Sequence, residues 1–208
     1  MITLYDYWRS SAAYRVRIAL NLLRISYETV PVDLMKGEQR QADNLARNPQ
    51  GLVPTLEIDG LRLTQSVAIV EYLNDTRNAG LLPEDAPGRA RVRALAFAVA
   101  MEIAPVCNLS VRIHAAEMSG GKVTADDWQS HFMVPRLAAL EAMIGADRFC
   151  HGDGVTLADI CLVPQVYNAR RIGLDFTTLQ KISAITARLE AMPAFAAAHP
   201  DHVRPPEP

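Results

Sequence analysis

The stretch Pro54-Thr-Leu-Glu-Ile-Asp-Gly-Leu-Arg-Leu63 gives the strongest structural signal in this chain. It contains two short strand-like runs, 54–58 and 61–63, on either side of Asp59-Gly60. An Asp-Gly pair between two such runs favours the tight turn of a two-residue β-hairpin. We therefore predict two antiparallel strands joined directly to each other.

The patterns on both sides of this hairpin alternate between strand and helix. Apolar residues recur at every second position where a strand is predicted and at helical spacing where a helix is predicted. The resulting order within residues 1–80 is βαβ-α-ββα, which is typical of a thioredoxin-like domain, although other small α/β sandwiches share it. The flanking patterns are a strand at 2–7, a helix at 16–23, a strand at 26–32, a helix at 38–46 and a helix at 66–76.

The second half of the chain has a different pattern. Residues 78–88 are rich in proline and glycine and predict an interdomain linker. Beyond them every long segment has helical periodicity, and Thr124-Ala-Asp-Asp127 has the form of a capping box. We predict an α/β domain over 1–80 and an all-helical domain over 89–208.

Composition excludes several classes of function. Half of the 208 residues are hydrophobic and the formal net charge is -2, so the chain has no strong field toward a phosphate backbone or an anionic bilayer. It begins without a signal-peptide pattern and has no membrane-length run of uncharged apolar residues. We predict a cytoplasmic protein with neither nucleic-acid nor membrane partners.

The cysteines and histidines carry no metal or disulfide signature. Three cysteines at positions 107, 150 and 161 are odd in number and widely spaced, and the five histidines lack HxxxH or HExxH spacing. We predict free thiols and no metal site.

Three segments of the first domain are candidates for binding. Ser10 and Ser11 lie between the first predicted strand and the first predicted helix, where free N–H groups and the helix dipole favour an anion and a hydroxyl can donate to a thiolate. Val53-Pro54 opens the hairpin, and a cis bond there would turn the Val53 backbone toward an extended peptide. Gln65-Ser66 begins another helix and is suited to a carboxylate. Taken singly, these residues are also explained as ordinary N-caps and as a proline that starts an edge strand.

The segment Arg9-Ser-Ser-Ala-Ala-Tyr-Arg-Val-Arg-Ile-Ala-Leu20 closely resembles the signature SSCxxRVRIAL of zeta-class glutathione S-transferases, the maleylacetoacetate isomerases. The resemblance extends from Ile2 to about Pro200 and includes five further blocks in the same order. These blocks are Asn48-Pro-Gln-Gly-Leu-Val-Pro-Thr-Leu56, Gln65-Ser-Val-Ala-Ile-Val-Glu-Tyr-Leu73, Leu81-Leu-Pro83, Asn108-Leu-Ser110 and Thr156-Leu-Ala-Asp-Ile-Cys-Leu-Val-Pro-Gln165.

The resemblance implies a glutathione-binding domain over 1–80 and a helical domain over 89–208 that contributes the substrate pocket. It also implies glutathione as cosubstrate, a small electrophilic substrate and a homodimer. It also implies roles for individual residues. Ser10 and Ser11 would face the glutathione sulfur as catalytic residues, and Val53, followed by Pro54, would pair with its cysteinyl backbone. The remaining implied contacts are Gln65 and Ser66 with the γ-glutamyl carboxylate, Gln39 or Gln50 with the glycyl end, Asn108 with glutathione or substrate, and Arg171 with a substrate carboxylate. Arg9 is a second candidate for a substrate carboxylate, because a guanidinium binds such a group bidentately.

Two positions depart from the family pattern. Ala12 replaces the signature cysteine, so no protein thiol stands at this point and the attacking sulfur has to belong to glutathione. Ala104 stands where relatives place glutamine or histidine, which removes a polar group from the predicted substrate pocket. Cys107 lies nearby, and we interpret it as a buried structural residue.

The resemblance favours glutathione-dependent cis-trans isomerisation of a maleylacetoacetate-like or maleylpyruvate-like product of aromatic degradation. Two alternatives remain at this point. A glutathione S-transferase that conjugates or dehalogenates small α-halo acids would use the same thiolate and the same arginines. A non-catalytic glutathione-binding module is the other alternative, since the pocket has lost polar character at Ala104.

Overall fold

The structure, a computed structural model, describes residues 1–205 of the chain and divides into two compact units. The first unit comprises Met1–Ala79 together with the chain from Glu190 onward, and the second comprises Gly80–Leu189. The prediction that 89–208 forms one helical domain is therefore wrong for its last part, because residues 190–205 group with the first unit. Residues 206–208 lie outside the described range.

The chain contains four strands and ten α-helices within the described residues. The strands are β1 Thr3–Asp6, β2 Glu28–Pro31, β3 Thr55–Ile58 and β4 Leu61–Thr64. The helices of the first unit are α1 Ser11–Leu22, α2 Ala42–Arg47, α3 Ser66–Arg77, α9 Pro193–Ala198 and α10 Pro200–Val203. The remaining helices are α4 Ala86–Phe97, α5 Leu109–Met118, α6 Ala125–Met143, α7 Leu157–Arg171 and α8 Gln180–Glu190.

The four strands form one mixed sheet in the order β2-β1-β3-β4. β1 pairs with β2 in parallel and with β3 antiparallel, and β3 pairs with β4 antiparallel. Ile58 pairs with Leu61 across the predicted turn, where Asp59 and Gly60 both have positive φ, 53° and 76°, as a type I′ turn requires. The predicted hairpin and the thioredoxin-like βαβ-α-ββα order are confirmed.

Helix α1 connects the sheet to the end of the chain. The buried guanidinium group of Arg17 pairs with Asp6 of β1 and donates through Nε to the Ala198 carbonyl at 3.1 Å. Asn21 donates to the Ala194 carbonyl at 3.1 Å, and Phe195 is completely buried. These contacts explain why α9 belongs to the first unit.

The second unit is built from α4 to α8 around α7, most of whose residues are buried. The predicted linker is shorter than expected, since α4 begins at Ala86 with Asp85 as its N-cap. A π-helical segment, Ala98–Ile103, continues α4. Asp159 of α7 accepts hydrogen bonds from the backbone of Thr156 and Cys150, which holds the preceding loop against the helix.

Within residues 1–205, no helix has both the length and the apolar character needed to cross a membrane. The same range contains no cluster of three or more His, Cys, Asp or Glu side chains suited to a metal ion.

Candidate functional site

The N-terminus of α1 offers free donors at the predicted thiol position. Ser10 is the N-cap, and its Oγ accepts a hydrogen bond from the Ala13 N–H at 3.2 Å. The N–H groups of Ser11 and Ala12 have no acceptor within the described part of the chain, and the Ser11 hydroxyl has no partner there. Because free N–H groups at a helix start carry partial positive charge, this position can stabilise a thiolate.

The loop before α1 is held in place on two sides. The Ser10 N–H donates to the Tyr7 carbonyl at 2.8 Å, and Nη2 of Arg17 donates to the Trp8 carbonyl at 2.9 Å. Arg9 donates to the Tyr7 hydroxyl at 2.9 Å, and its guanidinium carbon lies 5.0 Å from the Trp8 ring centroid. A guanidinium stacked on aromatic rings is pre-organised to bind a carboxylate. Arg9 is therefore positioned next to Ser10.

The Val53-Pro54 peptide bond is cis. Neither the N–H nor the carbonyl of Val53 takes part in a hydrogen bond with any described residue. The chain just before it is fixed, because Asn48 Nδ2 donates to the Leu52 carbonyl at 3.0 Å. The alternative of an edge-strand proline is wrong, since β3 lies between β1 and β4. The Val53 backbone is free because it precedes the first paired residue of β3.

The N-terminus of α3 is a second helix start whose first backbone N–H groups have no acceptor in the described chain. Gln65 precedes the helix with a positive φ of 68°, a conformation that is uncommon for a residue with a side chain. Its Nε2 donates to Oε1 of Gln50 at 2.8 Å, so the structure brings these two predicted residues together. Ser66 is the first helical residue and is only 5% exposed. Its Oγ accepts a hydrogen bond from Nη1 of Arg15 at 3.3 Å.

Three further predicted site residues, Gln39, Asn108 and Arg171, are described by their own local surroundings. The side-chain oxygen of Gln39 is buried without a partner among residues 1–205, rather than pointing to solvent. Asn108, in the second unit, is the N-cap of α5, and its Oδ1 accepts from the backbone and the hydroxyl of Ser110. Arg171, also in the second unit, is exposed at the end of α7.

Two family models match the chain in turn. The glutathione S-transferase N-terminal domain matches residues 1–75, and the glutathione S-transferase C-terminal domain matches residues 136–198. The maleylacetoacetate isomerase of Rhizobium meliloti (strain 1021) is 54% identical over 207 residues, covering 97% of each chain. This chain belongs to the glutathione S-transferase family.

Solved structures similar to this chain include members of the zeta class of this family. A bacterial maleylpyruvate isomerase, described as a zeta-class glutathione S-transferase, superposes with a TM-score of 0.94 at 38% identity, covering 99% of this chain and 100% of the other. The maleylacetoacetate isomerase of Anaeromyxobacter dehalogenans 2CP-1 superposes with a TM-score of 0.88 at 44% identity, covering 100% and 98%. That structure holds dicarboxyethyl glutathione and citrate in its active site.

Within this glutathione S-transferase, the two departures from the family signature have simple consequences. Ala12 occupies the second position of α1 with its N–H free, so only the backbone acts there. Ala104 follows the π-helical segment and is half-buried. Burial raises the pKa of the Cys107 thiol to about 11, so this cysteine is protonated at neutral pH. Cys107 is therefore not a nucleophile under those conditions.

One residue of the first unit was missed by the sequence analysis. Arg15 stands in the signature itself and donates to Ser66 from a site that is 3% exposed. The signal for it was the charged residue inside an otherwise apolar helical run, Arg15-Val-Arg-Ile-Ala-Leu20, since a buried arginine needs a partner.

Proposed function

We propose that this protein is a glutathione-dependent isomerase that converts a maleylacetoacetate-like or maleylpyruvate-like product of aromatic degradation from the cis to the trans form. The observation that carries the proposal is the start of α1, where two free N–H groups and the Ser11 hydroxyl converge beside a position with no thiol of its own. The names of the relatives support the same activity.

The residues present suit glutathione. We place its sulfur at Ser10 and Ser11, its cysteinyl backbone against Val53, and its γ-glutamyl carboxylate at Ser66 beside Gln65. The unpaired backbone of Val53 and the free helix start of α3 support the last two assignments, since an extended peptide needs free backbone partners and a carboxylate needs donors. The glutathione derivative bound in the active site of the Anaeromyxobacter relative supports the same choice of ligand.

The protein's part in catalysis is to supply and hold a thiolate. Each unit by which the thiol pKa is lowered is worth about 1.4 kcal/mol in favour of the ionised form. The α1 N–H groups and a serine hydroxyl stabilise that form directly, because they donate to negative sulfur. Bound glutathione supplies a thiolate that adds to the cis double bond, permits rotation about the resulting single bond and leaves again, so that none is consumed.

The substrate is a conjugated acid, and arginines are suited to hold its carboxylates. We propose Arg9 for this role, since the Tyr7 hydroxyl and the Trp8 ring already fix its orientation. Arg171 and Asn108 remain proposals from the family resemblance, as do Gln39 and Gln50 for the glycyl end. We also propose a cytoplasmic homodimer, which light scattering would reveal as twice the mass of the chain.

Product analysis tests the proposed reaction. The purified protein is incubated with maleylacetoacetate and a small amount of glutathione, and product and free thiol are followed together. We expect many equivalents of the fumaryl isomer and full recovery of glutathione. Glutathione consumed one-for-one without fumaryl product would instead support conjugation, with an α-halo acid as the next substrate to test. Tight glutathione binding without turnover would identify a binding module.

A matched pair of variants connects that test to the site. Ser11→Ala removes the free hydroxyl at the start of α1, whereas Ser26→Ala removes a hydroxyl before β2. We expect the first variant to lose most of its turnover and the second to retain it. Equal activity in both variants would contradict the role given to Ser11.

A further inference from the structure

Helix α1 contains a buried cation that no carboxylate neutralises. Arg15 is 3% exposed, and no ion pair joins it to any residue in the range 1–205. Its Nη1 donates to Ser66 Oγ, while Nε and Nη2 are buried without a hydrogen-bond partner in that range. An arginine stays charged at every accessible pH, and burying a charge without a partner is costly.

Arg17, two residues further along the same helix, shows how such a group is normally satisfied. Its Nη1 pairs with Asp6, its Nε donates to the Ala198 carbonyl and its Nη2 donates to the Trp8 carbonyl. All three nitrogens of Arg17 therefore have acceptors, and a carboxylate balances the charge. Arg15 differs from Arg17 in that no carboxylate of the described chain balances its charge. A bound anion would supply the missing negative charge.

The hydrogen-bond acceptor of Arg15 lies at a helix start. Ser66 is the first residue of the twelve-residue helix α3. A serine hydroxyl has two acceptor lone pairs and one hydrogen to donate. Since Oγ accepts from Arg15, its own hydrogen is available, and no described residue accepts it. The hydroxyl is thus polarised by a cation on one side and open to an acceptor on the other.

We infer that Arg15 is a positioning residue for an anion at the start of α3, acting through Ser66 on the α-carboxylate of a γ-glutamyl ligand. The inference rests on the proposed function, in which Ser66 receives that carboxylate. Arg15 fixes the Ser66 hydroxyl so that its hydrogen points to the anion, and its charge adds to that of the helix N-terminus. The ligand's charge in turn compensates the buried guanidinium.

The test compares two ligands that differ only in this carboxylate. Isothermal titration measures the dissociation constants of glutathione and of a glutathione analogue whose γ-glutamyl α-carboxylate is an amide. We expect the unaltered protein to prefer glutathione strongly. Arg15→Met should reduce that preference about tenfold, because a charge-assisted hydrogen bond is lost. A general packing defect would weaken both ligands by the same factor and leave the preference unchanged.

Two further variants separate charge from structure. Arg15→Lys keeps the cation and should retain most of the preference, whereas Arg24→Met removes an exposed cation beyond the end of α1 and should leave it intact. In a Ser66→Ala background, Arg15→Met should reduce the preference by a smaller factor than in the unaltered protein, since the part of the effect that passes through the hydroxyl is already lost. If Arg15→Met does not fold, Arg15→Gln provides the same comparison.

An unchanged preference in Arg15→Met or Arg15→Gln overturns the inference, and so does an undiminished effect in the Ser66→Ala background. These results leave the proposed function standing, because the unaltered protein still binds glutathione and turns over. Absence of glutathione binding by the unaltered protein overturns the proposed function and the inference together.

Discussion

At the scale of single residues, the two adjacent serines have different surroundings. Ser10 is the N-cap and uses its oxygen to accept from the Ala13 N–H, whereas Ser11 is the first helical residue and its hydroxyl has no partner in the described chain. The sequence placed both serines near the start of α1 but did not show which of them is the N-cap. Moving the cap by one residue leaves the apolar periodicity of the helix unchanged. This difference is why we propose Ser11 as the thiolate donor.

Separate effects are expected from the two alanine variants. Ser10→Ala removes a cap and should lower the free energy of unfolding by about 1 kcal/mol. Ser11→Ala should leave stability nearly unchanged and raise the pKa of bound glutathione by about one unit, since a donor to the thiolate is lost. Thermal unfolding and the ultraviolet absorbance of the thiolate against pH measure the two quantities. A larger pKa rise in Ser10→Ala would reverse the assignment.

The half-buried thiol of Cys107 is expected to be unreactive at neutral pH. Its pKa of about 11 is caused by burial, which disfavours the charged thiolate, and the nearby Arg112 and Arg136 offset this only in part. Alkylation by iodoacetamide, followed by peptide mass spectrometry, should therefore be much slower than for free glutathione at a pH of about 7.5. The rate should rise with pH up to about 11. Rapid labelling near neutral pH would contradict the burial argument.

At the scale of elements, short sequence motifs correctly predicted the turn and the helix cap that their own residues form. The Asp59-Gly60 turn and the capping box at the start of α6 were both predicted and are both confirmed, because each depends on residues within four positions of each other. The π-helical segment Ala98–Ile103 was not predicted. Its sequence is mostly apolar, and nothing in such a run distinguishes a wide helical turn from an ordinary one.

The capping box of α6 gives a pH-dependent contribution to stability. Hydrogen bonds from the Thr124 side chain and backbone lower the pKa of Asp127. Because the folded value lies below the unfolded one, the contribution is present above the unfolded pKa, about 3.9, and is lost as pH falls through the folded value. Thr124→Val should raise the Asp127 pKa toward its ordinary value. Carboxyl-carbon NMR titration measures it, and an unchanged pKa would contradict the role of the hydroxyl.

At the scale of the whole molecule, the sequence predicted the two kinds of architecture but not where the end of the chain packs. The segment Pro193–Ala198 is short and rich in alanine, and no periodicity in it names α1 as its neighbour. The ties that hold it, from Arg17 to Ala198 and from Asn21 to Ala194, join residues more than 170 positions apart. The candidate site residues come from the family motif, whereas the role proposed for Arg15, which stands in the same motif, rests on its burial and its contact with Ser66.

Weaker packing of the C-terminal helix α9 should destabilise the first unit. Phe195→Ala leaves a cavity in a fully buried site and should cost about 3–5 kcal/mol of unfolding free energy. The two tryptophans, Trp8 in the first unit and Trp128 in the second, allow the effect to be located. In a Trp128→Phe background, urea unfolding followed by Trp8 fluorescence should shift to lower urea. Phe97→Ala is the control variant, because it makes the same change of side chain at a half-buried position of the second unit. An unshifted Trp8 transition would contradict the role of α9.

The first unit is assembled from both ends of the chain, and this has a consequence for its synthesis. A ribosome delivers Met1–Ala79 first, then all of Gly80–Leu189, and only then the helix that covers α1. During most of translation the Arg17 guanidinium lacks the Ala198 carbonyl, and Phe195, which is fully buried in the folded protein, has not yet been added. The two parts of the first unit are thus synthesised before and after the whole of the second unit, so the first unit can complete its fold only after the second has been made.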